Sequence, residues 1–417
     1  MQKLTLSDVK LKTPQQQVKE AILEKYQTTE EFANAIGLYP ESVKVYLRDK
    51  NIGSDKFKIK LVNALDKGYD EIVISYKEQI SRMVQTIYRD CKEYKSENDL
   101  LTMRRLRELC IEYNLDIESM KMDRAMAIYH FYKSEFFKSI ELLEMALAKA
   151  RSLEDKSFEV MFLSDLASIY YSNHRYKRSL EIFNHAEKLI ELSAIKDDAL
   201  FNFNYLFGIL LNDTGYHEKA REKFLKASKL ASGKVDKGRA IMNIGLSYKK
   251  QGEYQTAVEH YTKALQYTKS NAEKQSVIYN NLAELYKVVG DYDRALKYIQ
   301  RSFELLDYDN QNYYFVTFQT YAQIKALRGE LRDVLEQLFE IIIERQNAFT
   351  HKSFMIKGIE TVIQLAYQER NTAILKKIEL FLIESFDTIG TNNAEYASEL
   401  ERCLGKILRC YNNRFEI

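Results

Sequence analysis

The sequence predicts an all-α protein, an N-terminal helix-turn-helix unit followed by a right-handed superhelix of paired helices. Three observations predict it. First, a phrase recurs. GLSYKKQGEYQTAVEHYTKAL starts at Gly245 and AELYKVVGDYDRALKYIQRSF at Ala283. Each has a small residue, Tyr three positions on, Gly four after that, an aromatic two after that, then Ala three later. Weaker copies start at Ala127, Ala167, Gly208 and Ala322, so the copies lie 37 to 41 residues apart. A fixed period in this range marks a solenoid, which buries its apolar faces by stacking neighbours. Second, 417 residues hold only two prolines and 14 glycines, which favours long helices with short turns. Third, Ala33, Gly37, Val43 and Tyr46 sit where two short crossing helices need them: a small residue at the crossing, Gly in the turn, an aliphatic residue facing inward.

In chain order, residues 1–13 read as a polar arm, whose Lys3, Lys10 and Lys12 suit a phosphate backbone. Pro14 opens a helix over about 14–26, with Val18, Ala21, Ile22 and Tyr26 on one face. Thr29 is the expected N-cap of EEFANAI, and Gly37 its stop. The next helix starts at Pro40 and runs through Tyr46 and Leu47 to about Asp49. NIGSD is a turn, Asp55 caps KFKIKLVNAL, and Gly68 stops that helix. Residues 69–94 read as one long amphipathic helix, with Ile72, Val73, Tyr76, Ile80, Met83, Val84 and Ile87 apolar. LLTMRRLRELCIEY is its partner after the turn SENDL. Repeats follow from about Asp116. GIETVIQLAYQERNTAILKKIELFL reads as a degenerate seventh copy and AEYASELERCLGKILRCY as a closing helix. The expected domains are 1–68, 69–115 and 116–417.

Net charge is +2, from 62 basic and 60 acidic residues, which excludes a polyanion-coating protein but allows a local basic patch. Cys91, Cys110, Cys403 and Cys410 form no CxxC and read as reduced core thiols. The six histidines are scattered and suggest no metal site. Glycine-rich nucleotide loops, HExxH and GxSxG are absent, so the sequence predicts neither an enzyme nor a cofactor. With no apolar leader and no run of 18 apolar residues, it predicts a cytoplasmic protein that does not enter a membrane.

The second helix of a helix-turn-helix enters the major groove N-terminus first. Here it presents Tyr39, Glu41, Ser42, Lys44, Val45 and Arg48 outward, with Val43 and Leu47 inward. Arg48, Lys44 and Ser42 are the expected contacts to base edges or phosphates, with Lys50, Lys56, Lys58 and Lys60 adding phosphate contacts. Residues 1–68 hold 12 Lys or Arg and 9 Asp or Glu, a weakly basic balance. Glu41 argues the other way, since it repels phosphate. A helical bundle that only extends the solenoid or binds protein also fits.

The recurring phrase resembles the tetratricopeptide repeat, over roughly residues 116–380. Gly245, Tyr248, Gly252, Tyr254 and Ala257 carry the match most fully. His174 replaces the turn Gly of the second copy, and His217 the turn aromatic of the third. The resemblance implies that the first helix of each pair lines a groove. Its stripe at −6, −3, −2 and +1 from the small residue carries Asp165, Asn202, Tyr205, Arg239, Asn243, Asn280, Asn281 and Glu284, with Gln323 at +1 of the sixth copy. Carboxamides both donate and accept, as an extended peptide backbone requires. Arg239, a cation with no evident partner in the sequence, is the candidate for a peptide carboxylate. The other reading of the asparagines is repeat scaffolding.

A helix-turn-helix ahead of six to eight such repeats resembles the RRNPP (Rap–Rgg–NprR–PlcR–PrgX) group of peptide-responsive regulators, which includes the phage arbitrium receptors. The resemblance implies a transcription regulator that binds a double-stranded DNA operator, under the control of a short oligopeptide in the groove. It further implies asparagines on the peptide backbone at Asn243 and Asn281, and a homodimer formed through the C-terminal repeats. The alternative is a tetratricopeptide adaptor that binds a partner regulator without touching DNA.

Overall fold

The computed structural model describes residues 3–48, 55–91, 94–133, 135–195, 197–306, 311–330, 332–345, 352–389 and 394–412. Among these residues, regular structure is helical throughout. The chain forms two compact units. One is Met1–Phe131 with Phe137–Leu153; the other is Tyr132–Phe136 with Glu154–Ile417.

The first unit starts with a 3-10 turn at Leu6–Asp8, then α1 (Pro14–Lys25), α2 (Thr29–Ala35), α3 (Pro40–Tyr46), α4 (Asp55–Leu65) and α5 (Tyr69–Ile72). These five helices enclose one core of Val18, Ile22, Phe32, Ala33, Val43, Phe57, Leu61, Leu65 and Ile72. Ala33 and Val43 are fully buried, as the sequence pattern requires. Gly37 takes φ +63° in the turn between α2 and α3, a conformation that penalises any Cβ. Two caps differ from expectation. The side chain that caps α2 is Thr28, which accepts from the Glu31 amide at 3.0 Å. The left-handed residue after α4 is Asp66, at φ +55°, and Gly68 instead opens α5.

The helix expected over 69–94 is broken. α5 ends at Ile72, and α6 (Tyr76–Arg89) begins after Ser75, which accepts from the Glu78 amide at 3.2 Å. The reason is a pair of carboxamides that satisfy the backbone between them. Gln17 Oε1 accepts from the Ile74 amide at 2.9 Å, while Gln17 Nε2 donates to the carbonyls of Ile74 and Lys12, both at 3.0 Å. Gln79 accepts from the Lys12 amide at 2.8 Å and donates back to its carbonyl at 2.9 Å. A backbone released from a helix needs such partners once it is buried.

The N-terminal arm is docked. Val9 is buried in a second core with residues of α6, α7 (Glu97–Glu112) and α8 (Asp116–Tyr132). Lys3 pairs with Asp99 at 2.6 Å, Lys12 pairs with Glu20 at 2.5 Å, and the Leu4 amide donates to the Tyr94 hydroxyl at 3.1 Å. Two of the three lysines expected to follow a phosphate backbone are therefore already paired. The same unit holds α9 (Phe136–Ser152), the partner of α8.

The second unit stacks helix pairs: α10/α11 (Lys156–Ser172, Tyr176–Glu191), α12/α13 (Asp197–Asp213, His217–Leu230) and α14/α15 (Lys234–Lys250, Tyr254–Tyr267). It continues through α16/α17 (Ala272–Val289, Tyr292–Glu304), α18/α19 (Gln311–Leu327, Arg332–Arg345) and α20/α21 (Lys352–Gln368, Thr372–Ile389) to α22 (Ala394–Asn412). The degenerate seventh copy and the closing helix are both present. The first helices of successive pairs lie against one another, from α10 through α20. The repeat turns use a left-handed residue: Gly215, Gly252, Gly290 and Gly329 lie at φ +74° to +88°, and His174 fills that position at +55°. The small residues do what the pattern demands. A Cβ on Gly208 would meet the Phe224 ring at 2.7 Å, and one on Gly245 would meet the Tyr261 ring at 3.0 Å.

Cys91, Cys110 and Cys403 are buried, Cys410 is half-buried, and none forms a disulfide. Burial pushes the Cys110 thiol up to about 12, so it is inert at neutral pH. Among the described residues no group of His, Cys, Asp or Glu can hold a metal ion, and no helix is long and apolar enough to cross a membrane.

Candidate functional sites

Helix α3 of the first unit presents a mixed face. Tyr39 is 83% exposed and Val45 59%, Arg48 is exposed, and Ser42 is half-buried. Lys44 is not an open cation. It bonds Glu41 at 2.9 Å and lies 3.3 Å from Glu30 of α2. The hydrogen bond to Glu41 raises the lysine's pKa and lowers the carboxylate's. Two acids thus screen one of the two basic residues described on this face. Lys60 serves the fold instead. Its ammonium donates to the Ile36 carbonyl at 2.6 Å, which closes the last turn of α2. Lys58 lies over the Tyr69 ring at 5.2 Å. Lys50 lies outside the described residues. Arg48, just past the end of α3, makes no ion pair with the described residues and is the open cation of this face.

In the second unit the stripe residues divide into three settings. The first is a cluster. Tyr205 on α12 is nearly buried, and the Arg239 guanidinium of α14 lies over its ring at 4.6 Å. Arg239 also bonds Asp236 at 2.9 Å, so it is a paired cation, which the sequence does not suggest. Asn243, one turn along α14, donates to the Tyr205 hydroxyl and to the Arg239 carbonyl, both at 3.1 Å. Its amide therefore holds Tyr205 under Arg239. Around this cluster is a cavity of about 110 Å³, lined by Tyr205, Arg239, Met242, Val277, Lys274 and Tyr313 among others. Lys274 bonds Glu273 and the Tyr313 hydroxyl, the latter at 3.2 Å. Burial opposes the charge on Arg239 and Lys274, but the phenol oxygens and the paired acids raise both pKa values, so both stay cationic. Lys274 and Tyr313 escaped sequence reasoning because they lie one turn or more before the repeat phrase.

The second setting is open carboxamide. Asn202 on α12 and Asn281 on α16 are half-buried, and neither side chain has a hydrogen-bond partner among the described residues. Asn280 is 6% exposed, and its Oδ1 is buried with no partner. Asp165, a carboxylate half-buried on α10, stands apart from these carboxamides.

The third setting is a ladder between neighbouring first helices. Lys250 of α14 bonds Asp213 of α12 at 2.5 Å, and Lys249 of α14 bonds Glu284 of α16 at 2.7 Å. Lys287 of α16 bonds Gln323 of α18 at 2.5 Å. Glu284 and Gln323 are thus joined to lysines that sit four residues past the repeat's small residue. That +4 position is visible in the sequence, but its partner across the stack is not.

Two segments match the tetratricopeptide repeat, residues 238–268 and 278–312. No curated protein matches the sequence. Among solved structures the chain is similar to a Rap protein complexed with competence and sporulation factor, at 12% identity and TM-score 0.50, over 80% of this chain and 98% of that one. It is similar to a STAND signal-transduction ATPase with a tetratricopeptide repeat sensor from Pyrococcus horikoshii, at 13% identity and TM-score 0.52, over 100% of this chain and 66% of that one. Aspartyl phosphate phosphatase F from Bacillus subtilis aligns at 14% identity and TM-score 0.48, over 91% of this chain and 95% of that one. At these identities the likeness is one of fold, an all-helical tetratricopeptide-type superhelix.

Proposed function

We propose that the chain is a DNA-binding transcription regulator controlled by a short peptide that lies along the first helices of its repeats. The observation that carries the peptide reading is the cavity at Arg239. Two cations and two phenols surround a space large enough for a carboxylate, and two of the helices that line it, α12 and α16, also carry the open carboxamides of Asn202 and Asn281. A peptide of about five to eight residues, rising about 3.3 Å per residue, spans two or three repeats at about 10 Å per helix. Its carboxylate enters the Arg239–Lys274 cavity, and its main chain meets the carboxamides. The Rap structure solved with competence and sporulation factor supports the reading by analogy of fold only.

DNA contact belongs to α3, through Arg48, Ser42 and the exposed ring of Tyr39. Homodimerisation belongs to the C-terminal repeats, where Ile343, Leu380 and Ile383 of α19 and α21 stand exposed. Peptide binding then alters the spacing of two α3 helices across the dimer. A second reading, an adaptor that docks a partner protein, is favoured by the acids that screen Lys44.

The peptide arm is tested by incubating the full-length protein with a random hexapeptide pool bearing free C-termini and identifying the retained peptides. Retention is expected, and Arg239→Gln should reduce it about tenfold or more, as loss of a charged hydrogen bond implies. Equal retention of C-terminally amidated peptides, unaffected by Arg239→Gln, would remove the carboxylate assignment.

A further inference from the structure

The inter-repeat ladder is incomplete at one rung. The first two rungs join a lysine to a carboxylate, Lys250 to Asp213 and Lys249 to Glu284. The third joins Lys287 to the neutral carboxamide of Gln323. Glu284 lies one turn before Lys287 on the same face of α16, so it stands between two lysines and pairs directly with one. Lys249, Glu284, Lys287 and Gln323 together leave one positive charge unmatched. The site is not bulk solvent: the Lys249 side chain is only 14% exposed, and Lys287 and Gln323 are half-buried. Burial and the charge of Lys249 hold the Lys287 pKa below the ordinary lysine value, despite the nearby Glu284.

A partly dehydrated ammonium whose hydrogen-bonding partner is neutral gains most from an incoming anion. We propose that Lys287 is the receptor for an acidic side chain of the bound peptide, with Gln323 keeping the rung neutral so that the ligand supplies the missing carboxylate. The proposal rests on the reading of the repeats as a peptide site. It also distinguishes two acid positions. The C-terminal carboxylate belongs at Arg239, near the start of α14. The side-chain carboxylate belongs at Lys287, near the end of α16. Arg239 and Lys249 lie about 15 Å apart along α14, and α16, which carries Lys287, lies about 10 Å to the side, so the two acid sites are about 18 Å apart on a diagonal that an extended peptide of about six residues covers. Gln323 therefore acts as a specificity residue through what it lacks: glutamate there would complete the rung internally and compete with the ligand.

The test uses the full-length protein and a random hexapeptide pool, with the composition of the retained fraction compared with the input. The wild type should enrich Asp or Glu at one peptide position about tenfold, the value of a charged hydrogen bond in a half-buried site. Gln323→Glu keeps the side-chain volume and should abolish that enrichment among the peptides it still retains. Lys287→Gln should do the same. Retained peptides without acidic enrichment, or enrichment that survives Gln323→Glu, would overturn the proposal while leaving the peptide reading intact. Enrichment lost only in Arg239→Gln would assign the acid to the other cavity and also overturn it. A folded wild type that retains no peptide would end both.

Discussion

Asn243 and Asn281 occupy the same position of successive repeats and do different work. Asn243 spends its amide on Tyr205 and on the Arg239 carbonyl, whereas Asn281 has no hydrogen-bond partner among the described residues. Asn243→Ala should therefore lower stability by about 1–2 kcal/mol, the value of one or two lost hydrogen bonds. Asn281→Ala should leave the unfolding midpoint almost unchanged and weaken peptide retention several-fold. Calorimetry and peptide retention on both variants check this; the opposite pattern would assign Asn281 to scaffolding and Asn243 to the ligand. His260 offers a second test. Its ring stacks on Tyr248 at 5.3 Å, and its Nδ1 is buried without a partner. Burial lowers its pKa below 6.5, with Lys263 and Arg221 adding to the effect and Glu259 opposing it. The unfolded chain then binds the proton more readily than the folded one. Stability from this residue is complete above the unfolded pKa and is lost as pH falls through about 6.5 towards the lower folded value. His260→Phe should flatten the fall in unfolding midpoint between about pH 7.5 and 5.5, and an unchanged slope would show that His260 is not buried neutral.

At the level of elements, the Gln17–Gln79 clip explains the break between α5 and α6, and a single substitution probes it. Gln17→Ala strips the partner from the Ile74 amide, while the Ile74 carbonyl keeps Gln79 Nε2 at 3.3 Å, and leaving one such group unsatisfied costs about 1–3 kcal/mol. Hydrogen exchange at the Ile74 amide should rise sharply in that variant, and unchanged protection would mean the break has another cause. The same element shows where sequence reading stops. Apolar periodicity runs unbroken through Ile72, Val73 and Tyr76, so it predicts one helix; the interruption comes from a glutamine 57 residues away in sequence. Repeat helices were legible because the small residues mark close crossings, as Gly208 faces the Phe224 ring and Gly245 the Tyr261 ring. Helical phase follows from the repeat, and it puts Asn202, Asn243 and Asn281 on the first helices α12, α14 and α16. Pairing was not. Asp236 beside Arg239, Glu30 beside Lys44 and Lys287 beside Gln323 depend on rotamers and on helix-to-helix register, which the sequence does not carry.

For the whole molecule, the net charge of +2 gives no general attraction to DNA, so the proposed specific binding rests on a local face and a paired arrangement of such faces. Arg48 is the exposed cation at α3 that carries this claim, because Lys44 and Lys60 are engaged within the fold and Lys3 and Lys12 hold the arm. The most direct measurement is selection of the full-length protein against a random duplex library at low and moderate salt, with wild type and Arg48→Ala in parallel, each repeated with the hexapeptide pool present. One enriched duplex sequence is expected, with an affinity that falls steeply as salt rises because Lys and Arg contacts release counterions. Arg48→Ala should lose about 1–3 kcal/mol if the contact is bidentate to a base, and added peptide should change the enrichment. No enriched sequence from folded protein, with or without peptide, would contradict DNA binding and leave the adaptor reading standing.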